Sequence, residues 1–253
     1  MPNITLKEYL EKIDLHNLLR ELGAQNIDLA AKEIKHFTEK EVEKRDKIVL
    51  SYFGNCGVKR IVDAIVTSVT SMPKLGTDAQ VLDMGAGSGY FTTRVSNELK
   101  KLLPKASFYA MDATPAMLSV LAKKRGGIIP FFGIAENISG SIGNAKEYAQ
   151  IPAQFDAVFS TLMLHHCPDI DKVFQSLRKV LKLSGKAVII DLYTHNFTEF
   201  RREMGDIHLG FDPEEIRKAA EKVFTEVSVK KLPGICCESS GRSAQLFIAT
   251  LKT

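Results

Sequence analysis

The chain reads as an α/β protein: a doubly wound sheet of seven strands, mostly parallel with an antiparallel last strand, preceded by a helical N-terminal cap. Three observations predict this. From Val81 onward short apolar runs alternate with helical patterns, the order that builds a parallel sheet with helices on both faces. The first core strand runs straight into three alternate glycines, in Val81-Leu82-Asp83-Met84-Gly85-Ala86-Gly87-Ser88-Gly89-Tyr90-Phe91. The last two apolar runs are joined only by the turn-rich residues 233–243, with no long helix between them, so that pair is antiparallel.

Residues 3–22 place Ile4, Leu6, Tyr9, Leu10, Ile13, Leu18, Leu19 and Leu22 largely at helical spacing. Thr5-Leu6-Lys7-Glu8 forms a capping box there, and Gly23 is the stop. Residues 27–37 give a short helix. A second box, Thr38-Glu39-Lys40-Glu41, opens another helix through Phe53 that Gly54 ends. These helices make a cap or lid over residues 1–56, and a helix at 58–69 leads into the main domain, residues 57–253. Strands are expected at 80–84, 106–111, 128–132, 155–160, 186–192, 225–232 and 244–251. Residues 139–152, rich in Gly, Ser and Ala, exceed the loop expected at that place and read as a surface insertion. The run Lys123-Lys124-Arg125 before Gly126 suits a helix C-terminus, where cations complement the macrodipole.

With 253 residues, 45% hydrophobic and 25% charged, the chain can bury one full α/β core plus an extension, but not two domains. The net charge of +4 comes from 34 basic and 30 acidic residues. The basic ones are scattered rather than striped, which argues against nucleic acid. No apolar stretch reaches membrane length and no secretion signal opens the chain, so a cytoplasmic location is expected. Cys56, Cys167, Cys236 and Cys237 show no C-x-x-C spacing, and reduced thiols follow.

The glycine turn carries the chemistry. Glycines let the backbone approach a ligand closely, and the helix beginning near Ser88 points unsatisfied N–H groups at it. A dinucleotide fingerprint reads G-x-G-x-x-G, whereas here the pattern is G-x-G-x-G preceded by Asp83. An acid at the strand end, facing the ligand, repels a pyrophosphate but suits a cofactor that carries an ammonium and no phosphate. S-adenosyl-L-methionine is such a cofactor. A dehydrogenase is the weaker reading, because the third glycine comes too early.

Further motifs point the same way. Asp112 closes the strand Ser107-Phe108-Tyr109-Ala110-Met111 and leads into Ala113-Thr114-Pro115-Ala116-Met117-Leu118, with Thr114 as N-cap and Pro115 at N1. Gly133-Ile134-Ala135-Glu136-Asn137 follows the third strand. Phe155-Asp156-Ala157-Val158-Phe159-Ser160-Thr161-Leu162-Met163-Leu164-His165-His166 covers the fourth strand and its loop, and Leu181-Lys182-Leu183-Ser184-Gly185-Lys186 precedes the fifth. Over residues 57–192 these segments resemble the class I S-adenosylmethionine-dependent methyltransferases, including the branch of ubiquinone and menaquinone biosynthesis C-methyltransferases. The resemblance implies a Rossmann-like fold. It implies that Asp83, Gly85, Ala86, Gly87, Ser88 and Gly89 hold the methionine portion, Asp112 and Ala113 the ribose, and Met117, Ala135, Glu136 and Asn137 the adenine. Ser160 and Thr161 complete the cofactor site. Ile134 stands where the family usually has Asp, so Glu136 or Asn137 takes over the adenine amino contact.

Methyl transfer needs alignment and exclusion of water more than covalent help. The proton of an acceptor needs a base, for which His165, His166, Tyr193 and His195 are the candidates, without a decision among them. His208 reads as structural. No metal site is expected. An arsenite-type metalloid methyltransferase would need a Cys just after the fourth strand, where Leu162 stands, although the pair Cys236-Cys237 raises the idea. Base-amine methylation would need an N-P-P-Y or D-P-P-Y loop, absent from Ser160-Thr161-Leu162-Met163. A small, partly apolar methyl acceptor remains. A cofactor-binding subunit without turnover and a homodimer stay open.

Overall fold

The computed structural model describes residues 4–36, 39–73, 75–124, 126–203, 205–239 and 242–253. The capping box opens α1 (Leu6–Lys12): Thr5 Oγ1 accepts from the Glu8 amide at 3.2 Å, and Glu8 Oε2 accepts from the Thr5 amide at 2.7 Å. The periodic run at 3–22 is two helices rather than one. Ile13 leaves helical space at ψ 124°, and Asp14 starts α2 (Leu15–Glu21) by accepting from the Asn17 amide. After α3 (Ile27–His36) comes α4 (Glu39–Thr70), which crosses the expected domain boundary at 56/57. Gly54 does not end it but kinks it, with φ 58° and ψ 175°. Thr38 of the second capping box and Arg125 of the basic run lie outside the described residues.

The remaining order is β1 (Gln80–Met84), α5 (Tyr90–Leu102), β2 (Ser107–Asp112), α6 (Pro115–Ala122), β3 (Ile128–Phe132), α7 (Ile138–Ala145), β4 (Phe155–Thr161), α8 (Ile170–Val180), β5 (Leu181–Leu192), α9 (Glu199–Glu203), α10 (Pro213–Glu221), β6 (Glu226–Ser239) and β7 (Arg242–Lys252). The sheet order is β3-β2-β1-β4-β5-β7-β6, with β7 antiparallel to both neighbours. Alternate residues face opposite sides, as the two-residue period of a strand requires. Leu82 and Met84 pack in one apolar cluster with α6, α7, α8 and α10, while Val81 packs in a second with α5 and the latter half of α4. The central strands β1, β2 and β4 bury both faces, while the edge strand β6 exposes Glu226, Lys230 and Lys231. Lys186 on β5 is 3% exposed, and its ammonium donates to Ser68 O at 2.7 Å and Ser71 Oγ at 2.8 Å. Ser71 Oγ donates to the same Ser68 carbonyl at 2.8 Å, so two donors serve the last turn of α4, whose carbonyls lack intrahelical amides.

Three expectations are corrected. Residues 139–152 are not a surface insertion: α7 buries Ile138, Ser141, Ile142 and Ala145, and Tyr148 and Ala149 beyond it are buried too. Ser141 Oγ accepts from the Ile134 amide at 3.1 Å, and Tyr148 Oη accepts from the Phe132 amide at 2.9 Å, so the segment satisfies the chain leaving β3. β5 starts at Leu181, with Ser184 at φ 65° inside the segment read as a turn. β6 runs on to Ser239, so most of residues 233–243 is strand, with its register broken between Lys231 and Cys236. The side chains of Cys236 and Cys237, on which the metalloid idea rested, lie outside the described residues. Among the described residues no helix is long and apolar enough to cross a membrane.

Candidate functional site

β1 to β5 are parallel, so the loops that follow them share one edge of the sheet. The strand order reverses between β1 and β4, and this is where open α/β sheets bind ligands. A cavity of about 340 Å³ opens there, within the usual size range of small-molecule sites. Among the residues singled out in the sequence, Gly85, Ala86, Gly87, Ser88, Asp112, Ala113, Met117, Ala135, Glu136, Thr161, His165 and His166 line it. Asp83, Gly89, Asn137, Ser160, Tyr193 and His195 do not.

Asp112 organises the end of the cavity beside β1 and β2. Its Oδ2 accepts from the Gly87 amide at 2.7 Å and its Oδ1 from the Thr114 amide at 2.8 Å, which ties the β1 loop to the start of α6. Thr114 occupies the N-cap but makes no side-chain cap bond. Burial raises the Asp112 carboxyl, opposed by those two amides and by Arg45. An ionised carboxylate offers about four acceptor positions, so lone pairs remain for a pair of hydroxyls. Gly87 lines the cavity, and a Cβ there would meet only Met117 Sδ, at 3.9 Å. Thr161 Oγ1 is buried with no partner among the described residues. A paired-hydroxyl acceptor, a loop open to close approach and an unpartnered hydroxyl fit the ribose and methionine portions of S-adenosylmethionine. Glu136, raised by burial, lines the wall, while Asn137 is occupied elsewhere: its Nδ2 donates to Leu22 O at 3.1 Å and its Oδ1 accepts from the Gly140 amide.

Asp83 sits behind the glycine loop. It is 2% exposed and its Oδ2 accepts from Thr92 Oγ1 at 2.6 Å. Burial pushes its carboxyl up to about 7. The unfolded carboxyl titrates near 3.9, so between about pH 4 and 7 the folded chain holds the extra proton, and stability falls as pH rises through that window. Asp83→Asn removes the titration. Its melting temperature relative to the parent chain should therefore rise from pH 5 to pH 8, and a constant difference would contradict the burial argument.

The other end of the cavity comes from α4 and the loops after β4 and β5. Arg45, Asp46, Val49, Tyr52 and Phe53 on α4 line it, together with Leu162, Met163, Leu192, Phe200 and Asp206. None of these was expected as a site residue. Ser88 Oγ donates to Asp46 Oδ1, whose Oδ2 pairs with Lys124 Nζ at 2.9 Å, so α4 is fastened onto the glycine loop. Leu162 adopts φ 56°, uncommon for a side chain of its size and characteristic of site loops that hold strain.

His165 and His166 lie on a 3-10 turn (Leu164–His166) after β4. His165 Nδ1 contacts Asp191 Oδ1 at 2.6 Å, and Asp191 is fully buried. Burial alone would lower His165, but the charge and hydrogen bond of Asp191, with Asp206, carry it above its ordinary value. Burial, His165 and Arg45 hold His166 well below its own. His195 stacks on Phe197 and Tyr193 packs edge-on against Phe247, both off the cavity wall. His208 Nε2 lies 3.0 Å from Cys167 O, the structural role expected of it. Burial raises Cys167 well above the usual thiol range, and Leu162 stands where a metalloid site would need its thiol.

In sheet order and in the make-up of this cavity the chain resembles the class I, S-adenosylmethionine-dependent methyltransferases. Residues 82–189 match the family model described as "Methyltransferase domain". The chain is 24% identical over 172 residues to the malonyl-[acyl-carrier protein] O-methyltransferase of Hahella chejuensis, covering 68% of this chain and 57% of that one. A second relative of the same description, from Legionella pneumophila, is 28% identical over 122 residues, 48% of this chain and 39% of its own. The chain thus spans about half or less of the length of these relatives. In fold it resembles the S-adenosyl-L-methionine complex of Haemonchus contortus phosphoethanolamine N-methyltransferase 2, with a TM-score of 0.60 at 14% identity, covering 99% of this chain and 60% of that one.

Proposed function

We propose that the chain transfers a methyl group from S-adenosylmethionine to a small, partly apolar acceptor held between α4 and the loops after β4 and β5. The observation that carries this is the make-up of that end of the cavity, where Tyr52, Phe53, Leu192 and Phe200 stand beside His165, His166 and Asp206. An apolar wall with a few convergent polar groups is the usual lining of a small-molecule site. In this reading Asp112 holds the ribose, the β1 loop the methionine portion, and Ala135, Glu136 and Met117 the adenine. The cofactor supplies an electrophilic methyl on a sulfonium that leaves as a neutral thioether. The residues of the chain align the acceptor and keep water out. The polar end of the acceptor rests against His165 and His166, whose rings are fixed by Asp191 and by Gly205 O. The cap before Gly54 is the lid.

A carboxylate on an apolar acyl chain is the acceptor class that the relatives' names suggest, and the Arg45 guanidinium on the aromatic wall favours it. The test is incubation with methyl-labelled S-adenosylmethionine and a panel of acyl half-thioesters, phenols and small amines. Label is expected in organic-extractable small molecules, most from the acyl acids. Label only in precipitated protein or nucleic acid, or no turnover with any acceptor, would refute the reading. Removing residues 1–50 should abolish that turnover, and a truncated chain retaining both cofactor affinity and turnover would refute the lid.

A further inference from the structure

His165, His166 and Asp206 each bring one free ligand atom to the same wall of the cavity, and these atoms lie within 4.8 Å of one another. The orientation of both imidazoles is fixed from behind. Asp191 Oδ1 accepts from the Leu192 amide at 2.7 Å and lies 2.6 Å from His165 Nδ1, while Asp191 Oδ2 accepts from the His165 amide at 3.3 Å. A carboxylate so placed accepts from Nδ1–H, which in the neutral ring leaves the Nε2 lone pair facing outward. A carbonyl can only accept, so His166 Nδ1, 3.1 Å from Gly205 O, is the protonated nitrogen of that ring and its Nε2 is again the free base. A ring nitrogen donating to a carboxylate or a backbone carbonyl is the support that metal-binding histidines have.

The third group is Asp206. It is 4% exposed, and neither carboxylate oxygen has a hydrogen-bond partner among the described residues. Its Oδ1 lies 3.6 Å from His165 Nε2, too long for a hydrogen bond. Two ligand atoms about 2.0–2.1 Å from one metal ion in tetrahedral geometry stand about 3.3 Å apart. The Asp206–His165 spacing is already near that separation.

We propose that His165, His166 and Asp206 bind a divalent transition-metal ion of the zinc or iron(II) class. Two imidazoles and one carboxylate select such ions over magnesium or calcium, which prefer all-oxygen sites. Three protein ligands leave coordination positions open toward the cavity. The function of the ion rests on the methyl-transfer reading: it would seat an oxygen of the acceptor. Its binding does not depend on that reading.

The test uses the full chain, stripped with a chelator and then titrated with Zn2+ by calorimetry and with Co2+ by visible absorption. One equivalent should bind, with ligand-field bands for Co2+. Asp206→Asn and His166→Gln should each weaken both metals at least tenfold and alter those bands, while S-adenosylhomocysteine affinity, measured alongside, reports that each variant is folded. Absence of stoichiometric binding by the parent chain, or affinities unmoved in both folded variants, would overturn the site. If S-adenosylhomocysteine binds while the metals do not, the metal site fails and the cofactor reading stands; the reverse result separates them the other way.

Discussion

Asp112→Ala is expected to weaken S-adenosylhomocysteine binding by about 2 kcal/mol or more, the scale of a lost hydrogen bond to a charged group, and so by roughly thirtyfold. The structure gives the loss two sources. Lone pairs available to the ribose hydroxyls disappear, and the amides of Gly87 and Thr114 lose the acceptor that holds the β1 loop against α6. Asp112→Asn separates them. Asn keeps one carbonyl oxygen for one of the two amides but presents an NH2 to the other, so its affinity should fall between those of the parent and Ala. Calorimetric titration decides the matter, and an affinity for the Ala variant within twofold of the parent would show that β2 does not end at the cofactor.

The second large effect concerns stability. Gly210 has φ 71°, and a Cβ built there would stand 2.1 Å from Tyr193 O and 2.5 Å from the Tyr193 carbonyl carbon. Both obstacles are backbone, so no side chain can swing aside. Tyr193 to His195 are laced to the segment at 209–211: the amide of Thr194 donates to Phe211 O at 3.0 Å, that of His195 to Leu209 O at 2.9 Å, and that of Phe211 to Leu192 O at 2.9 Å. Gly210→Ala adds left-handed strain to overpacking, together on the order of 3 kcal/mol. For a chain of this size that is a fall of roughly 6–12 °C in melting temperature. Gly143→Ala, where a Cβ meets nothing within 4 Å in α7, is the control and should be neutral or slightly stabilising. Equal melting temperatures for the two variants would refute the argument.

The strands and the glycine loop were legible because their signals are local. Val81 to Met84 is an apolar run ending in glycines, and Asp112 is named by its place at the end of the next run. His165 and His166 could be named for the same reason. Their partners could not. Asp191 meets His165 only through the parallel pairing of β4 with β5, and Asp206 arrives from beyond α9 by a path that no periodicity marks. Arg45 and Asp46 reach the cavity because α4 lies over the glycine loop, a tertiary event. His195 sits at the expected edge of the sheet, but Phe197 and Phe200 hold its ring off the wall. α7 was misread because Ser139, Gly140, Ser141 and Gly143 look like a linker, whereas Ser141 lies against Gly133 beyond β3 and accepts from the Ile134 amide, a tertiary contact that no local pattern marks.

If the cap is the lid, Lys186 sets how an acceptor can enter. Its grip on Ser68 and Ser71 pins the far end of α4 to the sheet, while Gly54 already breaks the helical path nearer its start. In the lid reading proposed above, rotation is confined to the portion before residue 54, which would carry Arg45, Asp46 and Tyr52 away as a unit. The doorway and the aromatic side of the acceptor chamber would then be one moving part, so that opening the chamber also takes it apart.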